Sequence, residues 1–172
     1  FCCLFLLTLK LKAEVIYDFK RDRYSGEWRI INDGVMGGLS SGNLGIDDNG
    51  NGVFYGFVTL ENYGGFTSIR LRKKVQLKSY NKIVLRVFGD NKLYQLRIKS
   101  RNRDRHVYVK NFYAESKWKE IEIDLKSMRP QFRGRKLNMS NFNNNSIEEV
   151  GILIGNKTEE EFRLIVDYLI LK

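Results

Sequence analysis

The chain has 172 residues, of which 42% are hydrophobic and 29% charged, enough to bury one core beneath a solvated surface. Fifteen Gly with one Pro, one His and two Cys argue against collagen-like, proline-rich disordered and disulfide-stapled classes. A zinc centre would have only His106 and the adjacent Cys2 and Cys3 to draw on, and a Ser-His-Asp or Cys-His triad only His106, so no catalytic constellation, metal site or cofactor is expected. Thirty Lys and Arg against twenty Asp and Glu give a formal charge of +10, which favours contact with anionic partners without naming one.

In chain order, Phe1 to Leu9 reads F-C-C-L-F-L-L-T-L, too short to span a membrane. It resembles the apolar core of a secretory signal with Ala13 at the cleavage point, so residues 1–13 are expected to be a signal remnant and 14–172 one domain. Export to the periplasm or the extracellular space is the expectation, with cytoplasmic or mitochondrial placement as the alternative.

Beyond the leader the dominant period is two. Val53 to Val58, Phe66 to Leu71, Ile83 to Phe88, Tyr94 to Lys99, His106 to Lys110, Glu120 to Leu125, Val150 to Ile154 and Phe162 to Leu171 are of strand length. Four of them, from Ile83 to Leu125, are expected to be successive antiparallel strands, the first two joined by a hairpin at Gly89–Lys92. Helical spacing does not persist beyond a turn or two, around Ser146–Glu149 or Thr158–Glu161. The fold class is therefore all-β, an antiparallel two-sheet sandwich of jelly-roll type. Asn138 to Asn145 reads as a surface loop.

Asn32-Asp33-Gly34-Val35-Met36-Gly37-Gly38-Leu39-Ser40 lacks the context of a phosphate loop, so its glycines are read as turn or bulge residues. Asp47 to Gly52 matches half a calcium loop, but the Glu expected six positions after Gly52 falls on Val58, and a tight turn is the simpler reading. Leu60-Glu61-Asn62-Tyr63-Gly64-Gly65-Phe66 joins a carboxylate, an amide and rings in one connection that could hold a polyhydroxyl ligand. A glycosidase pair among Glu61, Asp33 and Asp90 would need convergence that spacing does not supply.

Arg97 to Lys110 is strongly basic. Pairing through the Arg101–Arg105 loop would put Arg97, Lys99, Tyr108 and Lys110 on one face, unless Glu120, Glu122 and Asp124 neutralise it from the next strand. The candidate ligand residues are Asp33, Glu61, Asn62, Arg86, Arg97 and Tyr108. Expected partners are protein subunits of a membrane complex or a glycan. A membrane surface stays open as a partner, whereas nucleic acid is disfavoured because no short binding signature accompanies the charge.

The order of the motifs resembles the complex I intermediate-associated protein 30 family. The matching stretches are Trp28 with Asn32 to Ser40; Phe54 and Gly56; Leu60-Glu61-Asn62 with Gly64-Gly65-Phe66; and Ser68-Ile69-Arg70. They continue with Leu85-Arg86-Val87 and Gly89-Asp90, Tyr94-Gln95-Leu96-Arg97, Trp118, Phe132-Arg133-Gly134, Gly151, Phe162 and Asp167. The resemblance implies a galactose-binding-like jelly roll shared with carbohydrate-binding modules. It also implies a non-catalytic role as chaperone or adaptor in assembling NADH:ubiquinone oxidoreductase, with a secreted carbohydrate-binding module as the alternative.

Overall fold

A computed structural model describes residues 13–172. The expected signal segment therefore lies, but for Ala13, outside the described residues. These fold into β1 (Glu14–Asp18), a one-turn helix α1 (Phe19–Asp22), β2 (Trp28–Asn32), β3 (Ser41–Ile46), β4 (Gly52–Val58) and β5 (Thr67–Gln76). Then follow β6 (Lys82–Phe88), β7 (Lys92–Lys99), β8 (Val107–Ala114), β9 (Trp118–Asp124), β10 (Arg129–Phe132), β11 (Arg135–Lys136), β12 (Ser146–Ile154) and β13 (Glu160–Leu171). Among the described residues no helix is long and apolar enough to cross a membrane.

Two antiparallel sheets face each other. One runs β3-β4-β13-β6-β9, with β1 also on β13; the other runs β11-β10-β8-β7-β12-β5-β2. Alternation supplies one apolar face to each: Phe54, Leu85 and Leu164 from the six-stranded sheet meet Ile69, Leu96 and Ile152 from the seven-stranded sheet. Tyr17, Phe19 and Trp28 close one flank, with Phe19 stacked on Trp28 at 5.8 Å between ring centroids. The helical turn that carries Phe19 is capped by Asp18, whose carboxylate accepts from the Arg21 N–H at 3.0 Å.

Three expectations are corrected. Gly89–Lys92 is not a hairpin, because β6 and β7 lie in different sheets and β6 pairs with β9 and β13. Both strands need the same core from opposite sides, so they face each other rather than lie edge to edge. The crossover runs against the β8–β9 connection, the N–H groups of Gly89 and Asn91 donating to the carbonyls of Glu115 and Ala114 at 2.8 Å. A Cβ on Gly89 would lie 2.2 Å from the Ala114 carbonyl oxygen, which is why glycine stands there. Ser146–Glu149 is the start of β12, and Glu160–Glu161 the start of β13, not helical turns. Asn138 to Asn145 is a loop as expected, but its Phe142 is buried edge-on against Tyr108 at 5.1 Å.

Phe54 is fully buried and packs on Phe162 at 4.7 Å between centroids. Phe54→Ala is expected to lower unfolding free energy by about 3–5 kcal/mol, read as a lower urea midpoint at unchanged slope.

Candidate functional site

At one end of the sandwich Asp33 follows β2 in a short turn that ends at Gly37, whose φ is +91°. Its side chain is fully buried. Oδ1 accepts from the Ser40 N–H at 3.1 Å; Oδ2 accepts from the N–H groups of Gly65 at 2.7 Å and Phe66 at 3.3 Å. Burial opposes ionisation, yet the hydrogen bonds from Ser40, Gly65 and Phe66 outweigh it and hold the pKa below the ordinary aspartate value. Room for this carboxylate requires glycine: a Cβ on Gly38 would sit 2.3 Å from Asp33 Cγ, and one on Gly64 2.8 Å from Oδ2.

The two glycine-rich motifs are thus one junction, organised by a structural carboxylate. Glu61 and Asn62 lie beside it on an exposed turn, Asn62 with φ of +53°. Asp90 is likewise engaged, accepting from the Tyr94 hydroxyl at 3.1 Å and from the Arg163 N–H at 2.8 Å. Burial and this carboxylate push the Tyr94 hydroxyl far above the usual tyrosine range.

Arg86, Arg97 and Tyr108 are not brought together. Arg86 is on the outer face of the six-stranded sheet, ion-paired to Asp167 and stacked 4.4 Å above the Trp118 ring. Arg97 is on the outer face of the other sheet, opposite Val109. Tyr108 pairs with Ile98 and so points into the core, where it is 6% exposed. The expectation that Arg97 and Tyr108 share a face fails by one residue of register, which reverses every side chain of a strand. His106 packs edge-on against Tyr108 at 5.1 Å.

The expected neutralisation of this basic stretch also fails. Strand β9 pairs with β6, so Glu122 meets Lys82 at 2.9 Å and Lys172 at 3.6 Å, on the opposite sheet from Arg97. Asp47 closes the β3–β4 hairpin, its Oδ1 accepting from the N–H groups of Asn49 at 3.0 Å and Asn51 at 2.8 Å. Among the described residues no group of three His, Cys, Asp or Glu is placed to hold a metal.

Two surfaces emerge that spacing along the chain did not single out. Across β3, β4 and β13, Tyr55 stands between Asn43 and Arg163, and Phe57 between Ser41 and Glu161. Both rings are exposed and line a shallow trough of about 880 Å³ that Asp90 and Lys92 complete. The alternation of exposed Tyr55 and Phe57 with buried Phe54 and Val58 was the available signal. On the seven-stranded sheet, Arg29, Arg70 and Arg97 come into one row with Gly151. The outward alternation of Ser68, Arg70 and Arg72 hinted at this row, but its register could not be read from one strand.

The family model for Complex I intermediate-associated protein 30 (CIA30) matches residues 17–166. The chain belongs to this family. No curated protein matches it. Among solved structures, the family 11 carbohydrate-binding module from Clostridium thermocellum, in complex with a β-1,3-1,4-mixed-linked tetrasaccharide, is similar at TM-score 0.68 and 18% identity. That match covers 92% of this chain and 94% of the module. The family 11 module of the Clostridium thermocellum cellulase Lic26A-Cel5E has TM-score 0.69 at 18% identity, covering 93% of this chain and 94% of the module. An exo-β-agarase matches at TM-score 0.59 and 9% identity, over 94% of this chain and 25% of the agarase. At these identities the likeness establishes the jelly-roll fold of the CIA30 domain and not its ligand.

Asp33→Asn should cost about 2–3 kcal/mol, since an amide cannot accept all three N–H groups with its charge lost. Because the folded pKa of Asp33 lies below its unfolded value, its contribution is complete above about pH 4 and is lost as pH falls through the folded pKa. Melting temperatures measured from pH 6 to pH 2 should therefore fall less steeply in Asp33→Asn than in the wild type.

Proposed function

We propose that this CIA30 domain is a non-catalytic binding domain that assists assembly of NADH:ubiquinone oxidoreductase by holding a protein subunit against a sheet face. Family membership over residues 17–166 supports the assembly role. The observation that carries binding over catalysis is the state of two carboxylates, the buried Asp33 and the part-buried Asp90. Asp33 is held by three backbone N–H groups, and Asp90 by Tyr94 and the Arg163 N–H. Asp33 is thereby committed to the fold and Asp90 to its neighbours, while rings and guanidinium groups face outward.

Deleting the gene should lower the amount of fully assembled complex on native gels and its NADH:ubiquinone activity several-fold, with restoration by the wild-type chain. Unchanged assembly in the deletion strain would overturn the proposal.

Glycan binding is the second reading, favoured by Tyr55 and Phe57 along the trough. A sugar ring stacks its apolar face on such rings while Asn43 and Arg163 reach its hydroxyls. A mixed-linked tetrasaccharide is the ligand in one of the similar modules. Native electrophoresis through mixed-linkage β-glucan should then retard the wild type, and the double variant Tyr55→Ala/Phe57→Ala should lose about tenfold in affinity while remaining folded. Equal mobility with and without glucan would remove this reading for that polysaccharide.

A further inference from the structure

The outer face of the seven-stranded sheet carries one cross-strand row: Arg29, Arg70, Gly151, Arg97, Val109, Arg129. With neighbouring strands about 4.8 Å apart, this row is roughly 24 Å long. Buried Val107, Val109 and Leu153 give it an apolar floor. Arginine stems can cover such a floor while their heads face out.

Gly151 joins the two central arginines. Residues on either side of it in the sheet are Arg70 and Arg97, and a Cβ at this position would lie 3.2 Å from Arg70 Cγ and 2.9 Å from the Ile69 carbonyl oxygen. Between them a recess of about 10 Å³ is lined by Ser68, Arg70, Arg97, Val107, Glu149 and Gly151. That is the space of one oxygen-sized group.

The charges here are not balanced within the sheet. Glu149 is approached by Arg29 at 3.4 Å and by Arg72 at 3.7 Å. Arg70 Nε donates to Ser68 Oγ at 3.3 Å. Among the described residues the Arg97 guanidinium has no hydrogen-bond or ion-pair partner. Burial, and then the neighbouring Arg70, pull its pKa down to about 10 against the opposing effect of Glu149. Two guanidinium groups held side by side and partly desolvated repel each other until an anion lies between them.

We propose that Arg70 and Arg97, across Gly151, bind the carboxylate of an acidic side chain on a protein partner, and that Arg29 and Arg129 extend the contact to further acidic residues of the same segment. A carboxylate suits the site better than phosphate: it is a planar monoanion that pairs fork to fork with guanidinium, and Glu149 repels a dianion more strongly. The length of the row fits an extended segment rather than a single small acid. This assignment rests on the binding-domain reading and gives the chemistry of its partner.

The test is fluorescence anisotropy with the full purified chain and a labelled peptide of alternating Glu and Gly. Inorganic phosphate, trigalacturonate and unlabelled peptide serve as competitors. Arg97→Gln should weaken peptide binding at least about tenfold, with melting temperature unchanged or raised. Arg70→Lys keeps the charge but loses the fork, should cost about fivefold, and carries the test if Arg97→Gln fails to fold. Lys126→Gln, the same charge change outside this face, should alter affinity less than about twofold. Equal losses in Arg97→Gln and Lys126→Gln would overturn the site. Phosphate or trigalacturonate displacing the label more readily than unlabelled peptide would overturn the protein carboxylate as its ligand. Absence of peptide binding would overturn this site, whereas the assembly role stands or falls separately on the deletion strain.

Discussion

The buried carboxylate of Asp33 ties the two sheets together at one end of the sandwich. Its oxygens take N–H groups from Ser40, just before β3 in the six-stranded sheet, and from Gly65 and Phe66, just before β5 in the seven-stranded sheet. Asp33 itself follows β2, so three chain segments that diverge into two layers meet on one side chain. An ionised group in this position is tolerable because three backbone N–H groups donate to it. Gly38 and Gly64 serve the same need, since a side chain on either would occupy the space of the carboxylate. Asp33, which looks like a ligand residue along the chain, is therefore consumed by the fold, whereas Glu61 and Asn62 stay exposed beside it.

With Asp33 committed to structure, exposed rings and guanidinium groups lie on the sheet faces. Pairing decides how charge is shared between them. The carboxylates of β9 meet Lys82 and Lys172 on the six-stranded sheet, where Arg86 is also matched by Asp167. The seven-stranded sheet keeps Arg29, Arg70, Arg72 and Arg97 around the buried Glu149. The excess positive charge of the chain thus includes a local surplus on one face, which a uniform solvated surface would not produce. The other face presents Tyr55 and Phe57 in a trough, a surface of different chemistry.

Period-two alternation identified β4 to β9, β12 and β13 and the class of fold, because a half-buried strand writes burial directly into every second residue. The family resemblance held for the same reason that its motifs are specific: Asp33, Gly38, Gly64 and Gly65 form one packed junction. Partnership between strands was not legible. Ile83 to Phe88 and Tyr94 to Lys99 read as a hairpin, since a Gly-Asp-Asn link looks alike whether it turns within a sheet or crosses between two. Short edges such as β10 and β11 carried no period at all, and the Phe19 turn depends on an Asp18 cap and on packing against Trp28.

The sequence by itself determined which residues alternate between core and solvent, hence the all-β class, and which motifs place the chain among CIA30 domains. Only the tertiary structure decided which alternating residues share a surface. Arg97 and Tyr108 were one step of register from facing the same way, and Arg70 and Arg97, distant in sequence, became neighbours across Gly151. The physical reason is that alternation is a property of a single strand, whereas a binding face is a property of the pairing between strands. Pairing is set by nonlocal packing that no window along the chain contains.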